Sequence, residues 1–102
     1  MEGFPSLESI DGWFIVGNNA ALTSIKGFPS LTTVGGAFYL YSNSKLTSVE
    51  PFHNLTTVKG SFEVNFPGAS AQHFPKLECV GSYYAPSPTD LKNIPGVRVG
   101  GC

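Results

Sequence analysis

From Leu22 to Gly36 the chain reads LTSIKGFPSLTTVGG, with Leu22, Ile25, Phe28, Leu31 and Val34 three residues apart. That spacing fits neither the alternation of a strand nor a helix, which the interspersed Gly and Pro would break. The phrase returns 24 residues later as LTSVEPFHNLTTVKG, Leu46 to Gly60. A fixed period of this size marks a repeat architecture, so the apolar positions must be compared between copies.

Written from the Phe-Pro position, the turns are GFPSLESIDGWFIVGNNAALTSIK, GFPSLTTVGGAFYLYSNSKLTSVE, PFHNLTTVKGSFEVNFPGASAQ and the opening of a fourth, HFPKLECVGSYYAP. Phe4, Phe28, Phe52 and Phe74 lie 24, 24 and 22 residues apart. Three further columns align: Leu7, Leu31, Leu55, Leu77; then Ile10, Val34, Val58, Val80; then Phe14, Phe38, Phe62, Tyr84. Val16, Leu40 and Val64 form another, and Leu22 with Leu46 and Ile25 with Val49 complete the set. A helical hairpin needs two runs of good helix formers, and these units carry β-branched residues, Gly and Pro instead. Each turn is therefore read as short extended segments joined by bends, LxxV, GxFxV and LTSI. Stacked in register about 4.8 Å apart, equivalent segments pair in parallel and the apolar columns close into one core. The expected fold is all-β, a short right-handed parallel β-solenoid of about 24 residues per turn and three to four turns. Gly12, Gly36 and Gly60 are placed at one bend, and Asn19 above Asn43 at another, where side-chain amides can satisfy turn backbone.

The phrase GFPSLTTVGGAFYLYSNSKLTSVE resembles the receptor L-domain family in its Leu, Ile or Val, Gly, alternating strand, Asn and second Leu. Such modules occur in insulin-receptor and epidermal-growth-factor-receptor ectodomains and in fungal and microbial surface proteins. LTSI, TTVGGAF and LTSV are also loosely similar to BspA-like leucine-rich repeats. The L-domain resemblance spans Gly3 to Val64 and implies a leucine-rich-repeat-like solenoid with no catalytic residue. It also implies that the broad sheet face is a ligand surface.

The whole chain, 1–102, is expected as one solenoid domain, with repeat turns over 3–84 and an irregular C-terminal cap or tail over 85–102. Turn three loses the Asn bend and the LTS segment to NFPGASAQ. In the tail, Leu91 and Ile94 echo Leu22 and Ile25, and VRV offers a last short strand. Cys79 and Cys102 either form a bridge that pins this cap or leave a free tail thiol. The first turn has no comparable cap. It is expected to continue a longer solenoid, to be covered by a partner or another copy, or to be closed by residues 1–5.

Charged residues make up only 13% of the chain, and the formal charge is -1 with no basic cluster, which argues against nucleic acid or an anionic membrane as partner. No apolar run approaches the roughly 20 residues of a membrane span. Catalysis finds no constellation. His53 and His73 are isolated turn residues, and Asp11, Glu50, Glu63, Glu78 and Asp90 fall in different columns, so no paired carboxylates or metal site assemble. The glycines of VGG lack phosphate-loop context. The chain is expected to be no enzyme and to need no cofactor.

Binding has a better candidate. With Phe14 and Val16 inward, alternation turns Trp13, Ile15 and Gly17 outward, and Ala37, Tyr39 and Tyr41, then Ser61, Glu63 and Asn65, follow in the next turns. Stacking gathers Trp13, Ile15, Tyr39 and Tyr41 on one exposed face, suited to a protein or glycan partner, or else covered by the tail, a neighbouring domain or another copy. Ladders of Thr23, Thr32 and Thr33 above Thr47, Thr56 and Thr57 offer a rival, ice-binding face, although Thr also simply suits exposed strands. Asn54 in NLT is a glycosylation acceptor, which together with the resemblance favours an extracellular or cell-surface location. The expected role is a non-catalytic surface interaction module, adhesion or receptor-like. The alternative is a filament or coat subunit built by end-to-end stacking.

Overall fold

The computed structural model describes Phe4, residues 6–84, Leu91 and residues 94–102. It is a parallel β-solenoid of about three turns, about 24 residues apart, with no α-helix among the described residues. The strands are β1 Ser9–Ile10, β2 Phe14–Gly17, β3 Ser24–Ile25, β4 Thr33–Val34, β5 Phe38–Tyr41, β6 Ser48–Val49, β7 Thr57–Val64, β8 Cys79–Tyr83 and β9 Arg98–Val99. One sheet joins seven of them through β7, which pairs with β4, β5 and β8, while β3 and β6 make a separate two-stranded sheet. Registers follow the repeat: Ile10 opposite Val34, Phe14 opposite Phe38, Ile25 opposite Val49.

The core is built from two interleaved phenyl ladders. Phe14, Phe38 and Phe62 stack at 4.7 and 5.5 Å, and Phe28, Phe52 and Phe74 stack at 5.7 and 5.6 Å. Rings of one ladder meet those of the other edge to face, as Phe38 does with Phe52 at 5.3 Å, the geometry that the ring quadrupole favours. Leu31, Leu55, Val34, Val58 and Val80 are wholly buried around them. Phe4 departs from its expected column and is 66% exposed. Phe28 packs on Phe14 of the turn before it, and among the described residues no ring precedes Phe4 to receive it in the same way.

The Asn bend forms as the residue types require. Asn43, 2% exposed, accepts the Asn19 N–H through Oδ1 at 3.2 Å and donates through Nδ2 to the Val16 carbonyl at 3.1 Å. Asn18 and Ser42, one turn apart, hold positive φ of 55° and 51° just before it. The Gly bend differs in turn three: Gly12 and Gly36 lie at a corner, but Gly60 belongs to the continuous strand β7. Its N–H donates to the Gly36 carbonyl at 3.0 Å, and an added Cβ would fall 2.7 Å from the Gly36 backbone, so only glycine permits the close approach.

Two alignments need correction. Opposite β7, β8 is one residue short between Val80 and Ser82, so Ser61 pairs with Ser82 and Phe62 with Tyr83. Tyr83, not Tyr84, continues the inner Phe column, touching Phe62 at 5.9 Å. In the tail, Ile94 does not echo Ile25. The IPGV turn closes with the Val97 N–H on the Ile94 carbonyl at 3.2 Å, as FPKL closes with Leu77 on Phe74 at 3.3 Å. Ile94 thus takes the Phe position of an abbreviated further coil, and β9 follows it, pairing Val99 with Val80. Residues 85–90, 92 and 93 of the expected cap lie outside the described residues, as do 1–3 and 5 at the other end. Cys79 and Cys102 are bridged, their Cα atoms 5.8 Å apart.

Candidate functional site

Strands β2, β5 and β7 carry the Phe ladder on one side, β8 continues it with Tyr83, and their alternate residues form an outward face. One row runs Ile15, Tyr39, Glu63, the pairs fixed by backbone register, and Tyr84 follows with its N–H on the Phe62 carbonyl at 3.0 Å. A parallel row runs Gly17, Tyr41 and Asn65, the last donating its N–H to the Leu40 carbonyl at 2.7 Å. Trp13 begins a third, ahead of Ala37 and Ser61.

The structure brings Trp13, Ile15, Tyr39 and Tyr41 onto this one face, but to different depths. Trp13 is 71% and Ile15 44% exposed, whereas Tyr39 and Tyr41 are half-buried and Ala37 and Glu63 are buried. Glycines explain part of the difference. The Tyr41 ring lies across Gly17 on the preceding rung, and the Trp13 indole lies across Gly36 on the following one; a Cβ at either glycine would collide with the ring. Covering a bare glycine with a neighbouring aromatic protects the backbone there. Tyr39 and Tyr84 explain the rest. Their rungs flank that of Glu63, about 9.6 Å apart at two strand spacings, yet the ring centroids are 6.0 Å apart. The two rings thus lean toward one another across the Glu63 rung, and Glu63 itself is 7% exposed.

Tyr84 is a member of the face that the repeat alignment missed, and at 53% exposure it is among its most open rings. The signal was present: KGSF and VGSY share Gly-Ser-aromatic, and aligning those letters places Tyr83 inside and Tyr84 outside. At the end of β5 the face runs into an open cleft of about 570 Å³ lined by Ser42, Ser44, Asn65 and residues 67–69.

The other candidate residues lie elsewhere. Thr32 Oγ1 donates to the Glu8 carbonyl at 2.9 Å and Thr56 Oγ1 to the Thr32 carbonyl at 3.1 Å, so this hydroxyl row is spent on the rung before it. Asn54 donates through Nδ2 to the Pro29 carbonyl at 2.6 Å and accepts from Lys76 Nζ at 3.3 Å. His73 packs against Phe66 at 5.0 Å beside a 3-10 turn, Ala71–His73, and His53 is exposed.

No family model matches the chain, and neither a curated protein nor a solved structure does.

Proposed function

We propose that the chain is a non-catalytic extracellular or cell-surface interaction module that meets its partner, protein or glycan, through the outward aromatic face. The observation that carries this reading is the grouping of Trp13, Ile15, Tyr39, Tyr41 and Tyr84 on one sheet surface with Trp13 71% exposed. Large rigid rings bury much area at little rotamer cost, which makes them the usual energetic centres of interfaces. A receptor-like or adhesion role draws support from the resemblance of the repeat to L domains, and an oxidising location from the Cys79–Cys102 bridge. The test presents immobilised protein with purified extracellular proteins and glycans, alongside a Trp13→Ser/Tyr39→Ser double variant checked for fold by circular dichroism. Binding lost in the double variant supports the face, and undiminished binding removes it.

A second reading, end-to-end stacking into a filament or coat, is favoured by one observation. Among the described residues β1 and β2 pair on one side only, leaving backbone groups available to another chain. Sedimentation velocity across a wide concentration range decides it: a monomer at every concentration excludes stacking.

A further inference from the structure

We infer that the aromatic face takes an uncharged oligosaccharide, with its sugar rings stacked on Trp13 and Tyr41 and its hydroxyls met in the adjoining cleft. This rests on the reading of the face as a binding surface and names the ligand class.

Three observations point to a sugar. First, the Tyr41 ring lies flat on the sheet. Three atoms of the Tyr41 ring, Cζ, Cε1 and Cε2, would approach a Gly17 Cβ to within 2.8 Å, so the ring covers that glycine with one π-face and turns the other outward. The Trp13 indole meets Gly36 by the Cδ1–Nε1 edge of its five-membered ring and leaves most of its surface open, at 71% exposure. A protein hot spot seats a side chain in a pocket, whereas a flat ring matches the C–H face of a pyranose. Second, the surroundings are mixed and uncharged. The cleft beyond Tyr41 is lined by Ser42, Ser44 and Asn65 together with the apolar Phe66, Pro67 and Ala69, and among the described residues no charged side chain lines it. Asn65 follows Glu63 in alternation and sits one rung from Tyr41, so platform and cleft are continuous. Hydroxyls and amides donate and accept, as sugar hydroxyls do. Third, the one acid of the face among the described residues, Glu63, is buried, so its carboxylate is not presented for direct contact with a ligand. The cleft volume falls within the range of about 300–1,000 Å³ typical of small-ligand sites. The run from Trp13 to Gly17 adds about 13 Å at about 3.3 Å per residue, a length for several linked sugars rather than one.

Trp13 is the only tryptophan in the chain, so its fluorescence reports the face directly. The intact protein is titrated with neutral hexasaccharides of glucose, mannose and N-acetylglucosamine, and with a sulfated hexasaccharide, while acrylamide quenching of Trp13 is followed. The expected result is that one neutral hexasaccharide shields Trp13 at about 1 mM or below. Tyr41→Ala should weaken it by about tenfold, and Tyr41→Phe, which keeps the ring, by much less. If Tyr41→Ala does not fold, Trp13→Ala read by calorimetry must give a similar loss. Binding of the sulfated sugar alone overturns the inference, as does neutral binding indifferent to both variants. A protein ligand lost with Trp13→Ser/Tyr39→Ser, when no neutral sugar binds, sinks the sugar assignment and preserves the broader face. No face-dependent binding of any kind sinks both.

Discussion

Phe14, Phe38 and Phe62 repeat one ring along the inner side of β2, β5 and β7, whereas the residues beside them, Ile15, Tyr39 and Glu63, share only their position. The inner column is uniform because each ring must stack on the next in a space set by the strand spacing, and any other shape leaves a void. Outer residues answer to no such neighbour on the far side, so each turn is able to differ. Where a solenoid repeats, it is building itself; where it stops repeating, the side chains are available for something else. The aromatic face is the largest such interruption.

The comparison can be broken most forcefully from inside. Phe38→Ala removes a ring that touches both phenyl ladders, and a loss of about 3–5 kcal/mol is expected in urea unfolding. Next is the covalent pin. Reducing the Cys79–Cys102 bridge, with 23 residues of separation, should cost about 3 kcal/mol in the chain-entropy model. Because β9 is only two residues long and exposed, tryptic cleavage after Arg98 should accelerate before the rest of the chain opens. Asn43→Ala leaves the Val16 carbonyl and Asn19 N–H without their side-chain partners, for an expected loss of about 1–3 kcal/mol. On the outer face, Trp13→Ser should change stability by no more than about 0.5 kcal/mol, as surface substitutions usually do. A large destabilisation there would mean that Trp13 serves the fold through its cover of Gly36, and the division between the faces would fail.

How much of this was readable from letters follows the same division. The period and the columns of Leu31, Leu55, Val34 and Val58 could be read because burial imposes the same residue type at every turn. That the Asn43 amide serves bend backbone was legible from its residue type, though not that it both accepts and donates there. Tyr84 was not, because an alignment by fixed offset carried Tyr83 past its partner when one residue dropped out before Ser82. The depth of the outer residues was equally hidden. Alternation says which side of a strand a residue leaves from, but not that the Tyr39 and Tyr84 rings close to 6.0 Å of one another. Nor does it reveal that a glycine one rung away makes room for an indole or a phenol. Ile94 was misplaced for a related reason: IPGV shares turn chemistry with FPKL but not its aromatic letter.

The shortened stretch before Ser82 also bears on how such a molecule changes over time. Side-chain orientation along a strand is a matter of parity, so losing one residue exchanges inside for outside for all that follows in that strand. Here the loss puts one tyrosine of an adjacent pair against Phe62 and delivers the other to the solvent. A stacked coil can therefore move its surface aromatic from one outward row to another by a single deletion, with no substitution at all, provided both members of the pair are acceptable in either place. Twin aromatics such as Tyr83 and Tyr84 meet that condition, which makes them natural points at which one coil's exterior is rewritten while its interior stays closed.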